Sequence, residues 1–227
     1  PVYSTASYEF ASASEMEAAF CGKTTDHTYS RISNPTVHYF EERVRQITGA
    51  FNVTALNSGM AAVSNLFMTI AYSGANIVTS PHLFGNTYSF FATTLKAFGV
   101  EVRFCDLTNE NEIRERIDEN SCAIFFEVVT NPQLEVADIS MLSAVAKEKN
   151  VPLIADTTVI PFSVFNAGKF GVDIEVVSST KYISGGATSI WGLIIDYATF
   201  DWRNNKVLNP LANEQGGRIQ NSYLPME

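Results

Sequence analysis

The sequence is short of positive charge. Its 227 residues carry 15 lysines and arginines against 24 aspartates and glutamates, a formal charge of −9. That balance argues against general binding to nucleic acid or to an anionic membrane. A local phosphate site stays open, because it needs only one arginine and some amides. Cysteine is scarce as well. Cys21, Cys105 and Cys122 show no paired spacing, which points to a reducing, cytoplasmic compartment. Cys105 and Cys122 fall in or beside apolar runs and read as core thiols. No apolar run is long enough to span a membrane, and no signal peptide is visible. There is no GxSxG elbow, HExxH pair, Walker loop or GxGxxG turn, so the reactions those motifs serve find no support. Internal repeats and low-complexity segments are also missing. What remains, 46% hydrophobic and 17% charged, is enough to bury the core of one large α/β domain.

One stretch organises the chain: Ser178-Ser179-Thr180-Lys181-Tyr182-Ile183-Ser184-Gly185-Gly186. It follows an apolar run, 174–177, that reads as a short buried strand. A lysine at the end of such a strand reads in two ways. It is a Schiff-base lysine, desolvated so that its amine attacks a carbonyl, or a surface lysine opening a loop. Three other features favour the first. Asp156 ends the apolar run 151–155, where open α/β sheets bind ligands. A carboxylate there can pair with the protonated pyridine nitrogen of pyridoxal phosphate; the alternative is a helix cap or a solvated loop residue. Asn57-Ser58-Gly59-Met60 closes the run 51–56 and opens a helical stretch, exposing amides at a helix N-terminus. The alternative for Met60 is core packing, and the two are compatible. Tyr29 and Arg31 stand in a turn-rich segment, where the arginine can grip phosphate or simply occupy a surface loop.

The pattern predicts a polar arm over 1–36 with little regular structure, then helices at 38–48, 60–72, 86–98, 109–119 and 138–149. Strands are expected at 51–56, 76–79, 100–105, 122–129, 151–155, 174–177 and 188–195. Strand and helix alternate, so the expected fold class is α/β, a mostly parallel sheet with helices on both faces. Residues 1–45 read as an N-terminal arm and first helix, and 46–227 as the large domain. Residues 213–227 show no periodic pattern.

These motifs, together with PVYSTASYEF at Pro1, YSRISNPT at Tyr29, NSGMAA at Asn57, EVVTNPQLEVADI at Glu127 and ADTT at Ala155, resemble the large domain of the Cys/Met-metabolism pyridoxal-phosphate enzymes over nearly the full length. The resemblance implies a fold-type I domain whose smaller C-terminal domain is absent from this chain, and both ends read as cuts. It implies pyridoxal 5'-phosphate as cofactor and Lys181 as the residue that carries it and shuttles protons. Asp156 would hold the pyridine nitrogen. Ser58, Gly59, Met60, Ser178 and Thr180 would hold the phosphate, joined by Tyr29 and Arg31 from a neighbouring subunit of a homo-oligomer. Phe84 would stack on the ring, where the family usually has tyrosine. Asn131 would lie near the phenolic oxygen and the substrate carboxylate, with Glu127 behind it or paired with an arginine. No metal is implied.

Other departures from the family pattern are Asn86, Thr157, Gly186 and Trp191, which bear on packing and substrate choice. The Phe200-Asp201-Trp202 segment resembles the sulfhydrylase branch. The implied reaction is γ-replacement on O-acetylhomoserine by sulfide or methanethiol. The alternatives are a γ-lyase, cystathionine γ-synthase chemistry, or a non-catalytic assembly protein that keeps the fold.

Overall fold

The computed structural model describes residues 1–202; residues 213–227, read above as lacking a pattern, lie outside them. Seven strands form one sheet: β1 (Asn52–Leu56), β2 (Asn76–Thr79), β3 (Glu101–Phe104), β4 (Ser121–Glu127), β5 (Leu153–Asp156), β6 (Ile174–Ser178) and β7 (Gly192–Asp196). Their order across the sheet is β1-β7-β6-β5-β4-β2-β3. The four pairings among β3, β2, β4, β5 and β6 are parallel. Only β7 runs against its two neighbours, so the expected mostly parallel sheet is present. Because β6 and β7 are antiparallel, the chain reverses between them without a crossover helix. The lysine-bearing stretch is that reversal.

Helices cover both faces, and side-chain alternation shows how. Ile77, Phe125, Ile154, Ile174 and Val176 pack on one face with α3 (Gly59–Ile70) and the helix that starts at α4 (Gly85–Ser89). Val78, Ile124, Phe126, Leu153 and Ala155 pack on the other with α5 (Glu110–Arg116) and α6 (Ile139–Lys149). All seven residues of β4 are buried, as a central strand covered on both sides should be. Cys122 and Cys105 lie buried in the two cores, and burial pushes both thiols up to about 12. Past α4 the helix widens into a π-helical stretch, Phe90–Leu95. No helix among the described residues is long and apolar enough to cross a membrane.

Two expectations need correction. The N-terminal arm contains a helix, α1 (Ala13–Phe20), so the helix expected at 38–48 becomes α2, which begins earlier (Pro35–Thr48). Each has a sequence-encoded start. Ser12 accepts from the Glu15 amide while Glu15 reaches back to the Ala11 amide, a variant of the reciprocal cap. Asn34 caps α2 and Pro35 supplies its first turn, where a missing N–H costs nothing. The run 174–177 is also not wholly apolar: it contains Glu175, fully buried.

Candidate active site

Alternation along the strands builds the site. Phe125, Ile154 and Val176 face α3, so the residues two further on, Glu127, Asp156 and Ser178, face it too. They end β4, β5 and β6, and Glu127 aligns with Asp156 in the pairing of those strands. All three line a cavity of about 330 Å³ at the N-terminus of α3, within the usual size range of small-molecule sites, about 300–1,000 Å³. Ser58, Gly59, Met60, Phe84, Asn131, Thr180 and Lys181 line it as well. Nine of the residues singled out from the sequence for cofactor binding, Asp156 among them, therefore converge on one space. Tyr29 and Arg31 do not line it. They sit on the exposed arm, the Arg31 guanidinium 5.2 Å from the centre of the Tyr29 ring. Tyr29 is held there by a bridge to Ser7.

The helix end is laid onto the sheet by two glycines. A β-carbon on Gly59 would fall 2.5 Å from the Ser178 β-carbon, and one on Gly192 would fall 1.9 Å from the Ser58 carbonyl oxygen. Neither separation is possible for a real side chain, so these positions require glycine. Ser58 spends its hydroxyl on the Ala61 amide, 3.0 Å away, as a helix cap. The amides of Gly59 and Met60 have no acceptor among the described residues, the arrangement that makes helix N-termini receptive to anions. Thr180 holds both ends of the reversal, its hydroxyl lying 3.4 and 3.3 Å from the Trp191 carbonyl and amide. The Trp191 ring meets Phe40 of α2 edge-on at 6.2 Å, which explains a large residue at that place.

Asp156 accepts the Thr158 amide at 2.8 Å, and the Thr158 hydroxyl accepts the Ser178 amide at 2.9 Å. Thr158 thus joins the ends of β5 and β6. Burial pushes the Asp156 carboxyl above the ordinary range, opposed by its bonds to Thr158. Behind it, Glu175 receives the Thr157 hydroxyl at 2.5 Å and the Tyr197 hydroxyl at 2.7 Å. Its carboxyl is likewise raised, first by burial and further by Asp156. Thr157, noted above as a departure, is where it is because it serves this acid.

Lys181 lines the cavity but is exposed, not desolvated as its position at a strand end suggested. It stands on the open turn between antiparallel strands, which leaves its side chain uncovered. Glu127, expected behind Asn131 or against an arginine, meets no arginine among the described residues. It accepts the Phe84 amide at 2.5 Å and the Asn131 amide at 3.2 Å. Burial, with Asp156 adding to it, pushes its carboxyl up to about 7 despite those bonds.

The model of the Cys/Met metabolism PLP-dependent enzyme family matches residues 1–225. The chain belongs to this family. Among its relatives, the homocysteine/cysteine synthase of Saccharomyces cerevisiae is 34% identical over 90% of this chain and 46% of its own length. The O-acetyl-L-homoserine sulfhydrylase of Corynebacterium glutamicum is 34% identical over 93% of this chain and 48% of its own. The solved O-acetylhomoserine sulfhydrylase of Wolinella succinogenes superposes with a TM-score of 0.75 at 44% identity, covering 81% of this chain and 53% of that one. A candidate O-acetylhomoserine (thiol)-lyase from Campylobacter jejuni, which carries N'-pyridoxyl-lysine-5'-monophosphate at one position, gives 0.83 at 34% identity over 88% of this chain and 50% of its own. The chain spans about half the length of the relatives it matches.

The residues present fit the family's cofactor. Free helix amides and the Ser178 hydroxyl suit a phosphate, the half-buried Asp156 suits a protonated ring nitrogen, and Lys181 opens into the same space.

Proposed function

We propose that this chain forms part of a pyridoxal-phosphate enzyme that replaces the acetate of O-acetylhomoserine with sulfide or methanethiol, giving homocysteine or methionine. The observation that carries the reading is the convergence of Lys181, Asp156, Ser178 and the α3 N-terminus on one cavity. The named relatives support the choice of reaction. Pyridoxal phosphate, when bound, supplies an electron sink for carbanion chemistry on an amino acid. Lys181 holds the cofactor covalently through its amine, and as a free amine moves protons at the substrate carbons. Asp156 keeps the ring nitrogen protonated; a cation placed against it offsets the burial that raises its carboxyl. Ser58, Gly59, Met60, Ser178 and Thr180 bind the phosphate, Phe84 covers the ring, and Asn131 orients the substrate carboxylate.

Tyr29 and Arg31 complete a phosphate site in another copy of the chain, with residues 1–45 acting as an arm and 46–227 as the cofactor-binding domain. Their place outside the cavity of their own chain supports this. The unpaired cysteines support a cytoplasmic setting;.

Phe84 supports an acyl leaving group. Acetate, with a conjugate-acid pKa of about 4, departs unaided, whereas a thiol of about 8.5 gains from a proton donor that phenylalanine lacks. Borohydride reduction of the full-length protein with pyridoxal phosphate, followed by peptide mapping, should label Lys181. A label on another lysine, or none, removes the reading. Comparing kcat/KM for O-acetylhomoserine plus sulfide with that for methionine elimination tests the substrate; comparable values defeat the leaving-group argument.

A further inference from the structure

We propose that Glu127 is a positioning residue: its carboxylate ties together the two loops that bring Phe84 and Asn131 to the cavity and so sets where those residues stand. The inference rests on the cofactor reading above for its consequence, though not for its geometry.

Glu127 is the last residue of β4, an interior and wholly buried strand. Its own exposure is 7%. One oxygen accepts the Phe84 amide at 2.5 Å, from a position 43 residues away in sequence; the other accepts the Asn131 amide at 3.2 Å. Phe84 is the N-cap position of α4 and makes no side-chain cap bond of its own. The Asn131 loop is otherwise closed on itself, through Thr130 to Glu135, Leu134 to Thr130 and Ala137 to Val128. A second tie joins the same loops at the surface, His82 to Glu135 at 2.7 Å, with both side chains well exposed. A second cavity of about 360 Å³, lined by Ser80, His82, Asp106, Thr130, Glu135 and others, lies on the far side of Glu127. Glu127 lines both cavities and is the wall between them. With open space on each side, the loops depend on the carboxylate for their spacing.

The charged and titratable groups around Glu127 are Asp156 on β5, His82 and Glu135 on the two loops, Asp106 beyond β3 and Lys181 across the cavity. None forms an ion pair with it among the described residues. Burial and Asp156 bring its titration up to about 7. An ionised carboxylate accepts both amides with charge-assisted bonds. Its protonated form turns one oxygen into a donor and loses one of the two. Glutamine, with one acceptor oxygen and one amide donor, reproduces that half-released state.

The test uses the full-length protein and Glu127→Gln. Amide protection factors at Phe84 and Asn131 are measured by hydrogen exchange at pH 8. At least one should fall on the order of tenfold in the variant, the worth of one charge-assisted hydrogen bond, while amides of α3 and β5 stay protected. Pyridoxal-phosphate affinity, followed by visible absorbance, should weaken several-fold in the wild type from pH 8 to pH 6. It should be weak and flat with pH in Glu127→Gln. Unchanged protection at both amides, or a pH profile that survives in the variant, overturns the proposal. Should the variant not fold, the wild-type protection factors at pH 6 and pH 8 decide alone, since equal values leave no proton-sensitive tie. Exchange needs no cofactor, so absence of a borohydride label on Lys181 together with lost protection would remove the cofactor reading and keep the tie.

Discussion

The ion-paired carboxyl groups on the outer elements and those at the strands β4 to β7 obey opposite rules. On the outside, Glu42 meets Arg45 at 2.6 Å, Asp118 meets Arg103 at 2.7 Å, and Glu148 meets Arg114 at 2.5 Å. Their carboxyls titrate low, Glu42 at about 2, chiefly through its bonds to Arg45 and Gln46. Inside, Glu127, Asp156, Asp173, Glu175 and Asp196 accept from amides and hydroxyls, and none is in an ion pair among the described residues. All five titrate high, with burial as the leading cause. Exposed pairs add little, about 0–1 kcal/mol each. Buried acids without a cation cost stability. Of these five, Glu127 and Asp156 line the cavity, where an acid kept at a cost to stability is one retained for chemistry.

The sharpest break of that comparison is Asp156→Asn. If Asp156 orients charge at the reacting ring, turnover by the full-length enzyme should fall by at least about 10²-fold, as for other preorganised electrostatic groups. The unfolding midpoint should stay or rise, because a penalised carboxyl has gone. Parallel losses of stability and turnover would make Asp156 a structural acid.

The next effect is on stability against pH. Glu127 rises from an ordinary 4.5 to about 7 in the folded state. Folded protein therefore holds a proton that the unfolded chain releases between those values. The contribution is full below pH 4.5 and lost as pH climbs through 7. Its size is at most about 3 kcal/mol, at roughly 1.4 kcal/mol per unit. The other four buried acids shift in the same direction. Glu42 runs the other way: its contribution is present above 4.5 and lost as pH falls towards 2;. Urea unfolding midpoints should therefore decline from pH 5 to pH 8, and Glu127→Gln should flatten the decline. A midpoint that rises over that range would show the outer pairs dominating.

Thr157→Val should destabilise by about 1–3 kcal/mol, because it takes one hydroxyl from Glu175 and leaves a buried oxygen unbonded;. In a Tyr197→Phe background, which removes the other hydroxyl donor to Glu175, Thr157→Val with Glu175→Leu should recover much of this, since removing both partners costs less than removing one. Thermal unfolding of the four proteins in the cycle measures the coupling; no coupling would separate Thr157 from Glu175.

How much of this was readable depended on the range of the interaction. Asp156 and Ser178 could be found because a strand end and a period of two are local signals. Gly59 was visible as a turn glycine, but its contact with Ser178 joins elements far apart in sequence. Glu127 stood out at a strand end, yet its partner Phe84 lies 43 residues earlier, and no spacing announces that bond. Glu175 gives no signal inside the apolar run 174–177, because one acid barely alters the mean character of a strand. Helix α1 did carry its signal, Ser12 with Glu15 three residues on, but its polar surroundings hid it. The antiparallel course of β7 depends on pairing with the distant β1, in the register Asn52 to Asp196, and has no local signature.

The smallest effect belongs to the outer pairs. Arg114 is the strongest candidate to contradict the comparison, because it holds two acids at once: Glu110 one turn earlier on α5, at 2.7 Å, and Glu148 on α6, at 2.5 Å. It therefore links two helices and does more than decorate one. Even so, Glu110 and Glu148 are half exposed, at 50% and 56%. Water solvates both carboxylates well when the arginine is gone, and ordering three long side chains consumes rotamer entropy. Arg114→Ala should lower the unfolding midpoint only slightly, and half a molar salt should shrink the difference, since screening acts on exposed charges. Cofactor binding and turnover should not change. A large fall in the midpoint that persists in salt would show the α5–α6 link behaving like a buried contact, and the division between inner and outer acids would no longer follow exposure.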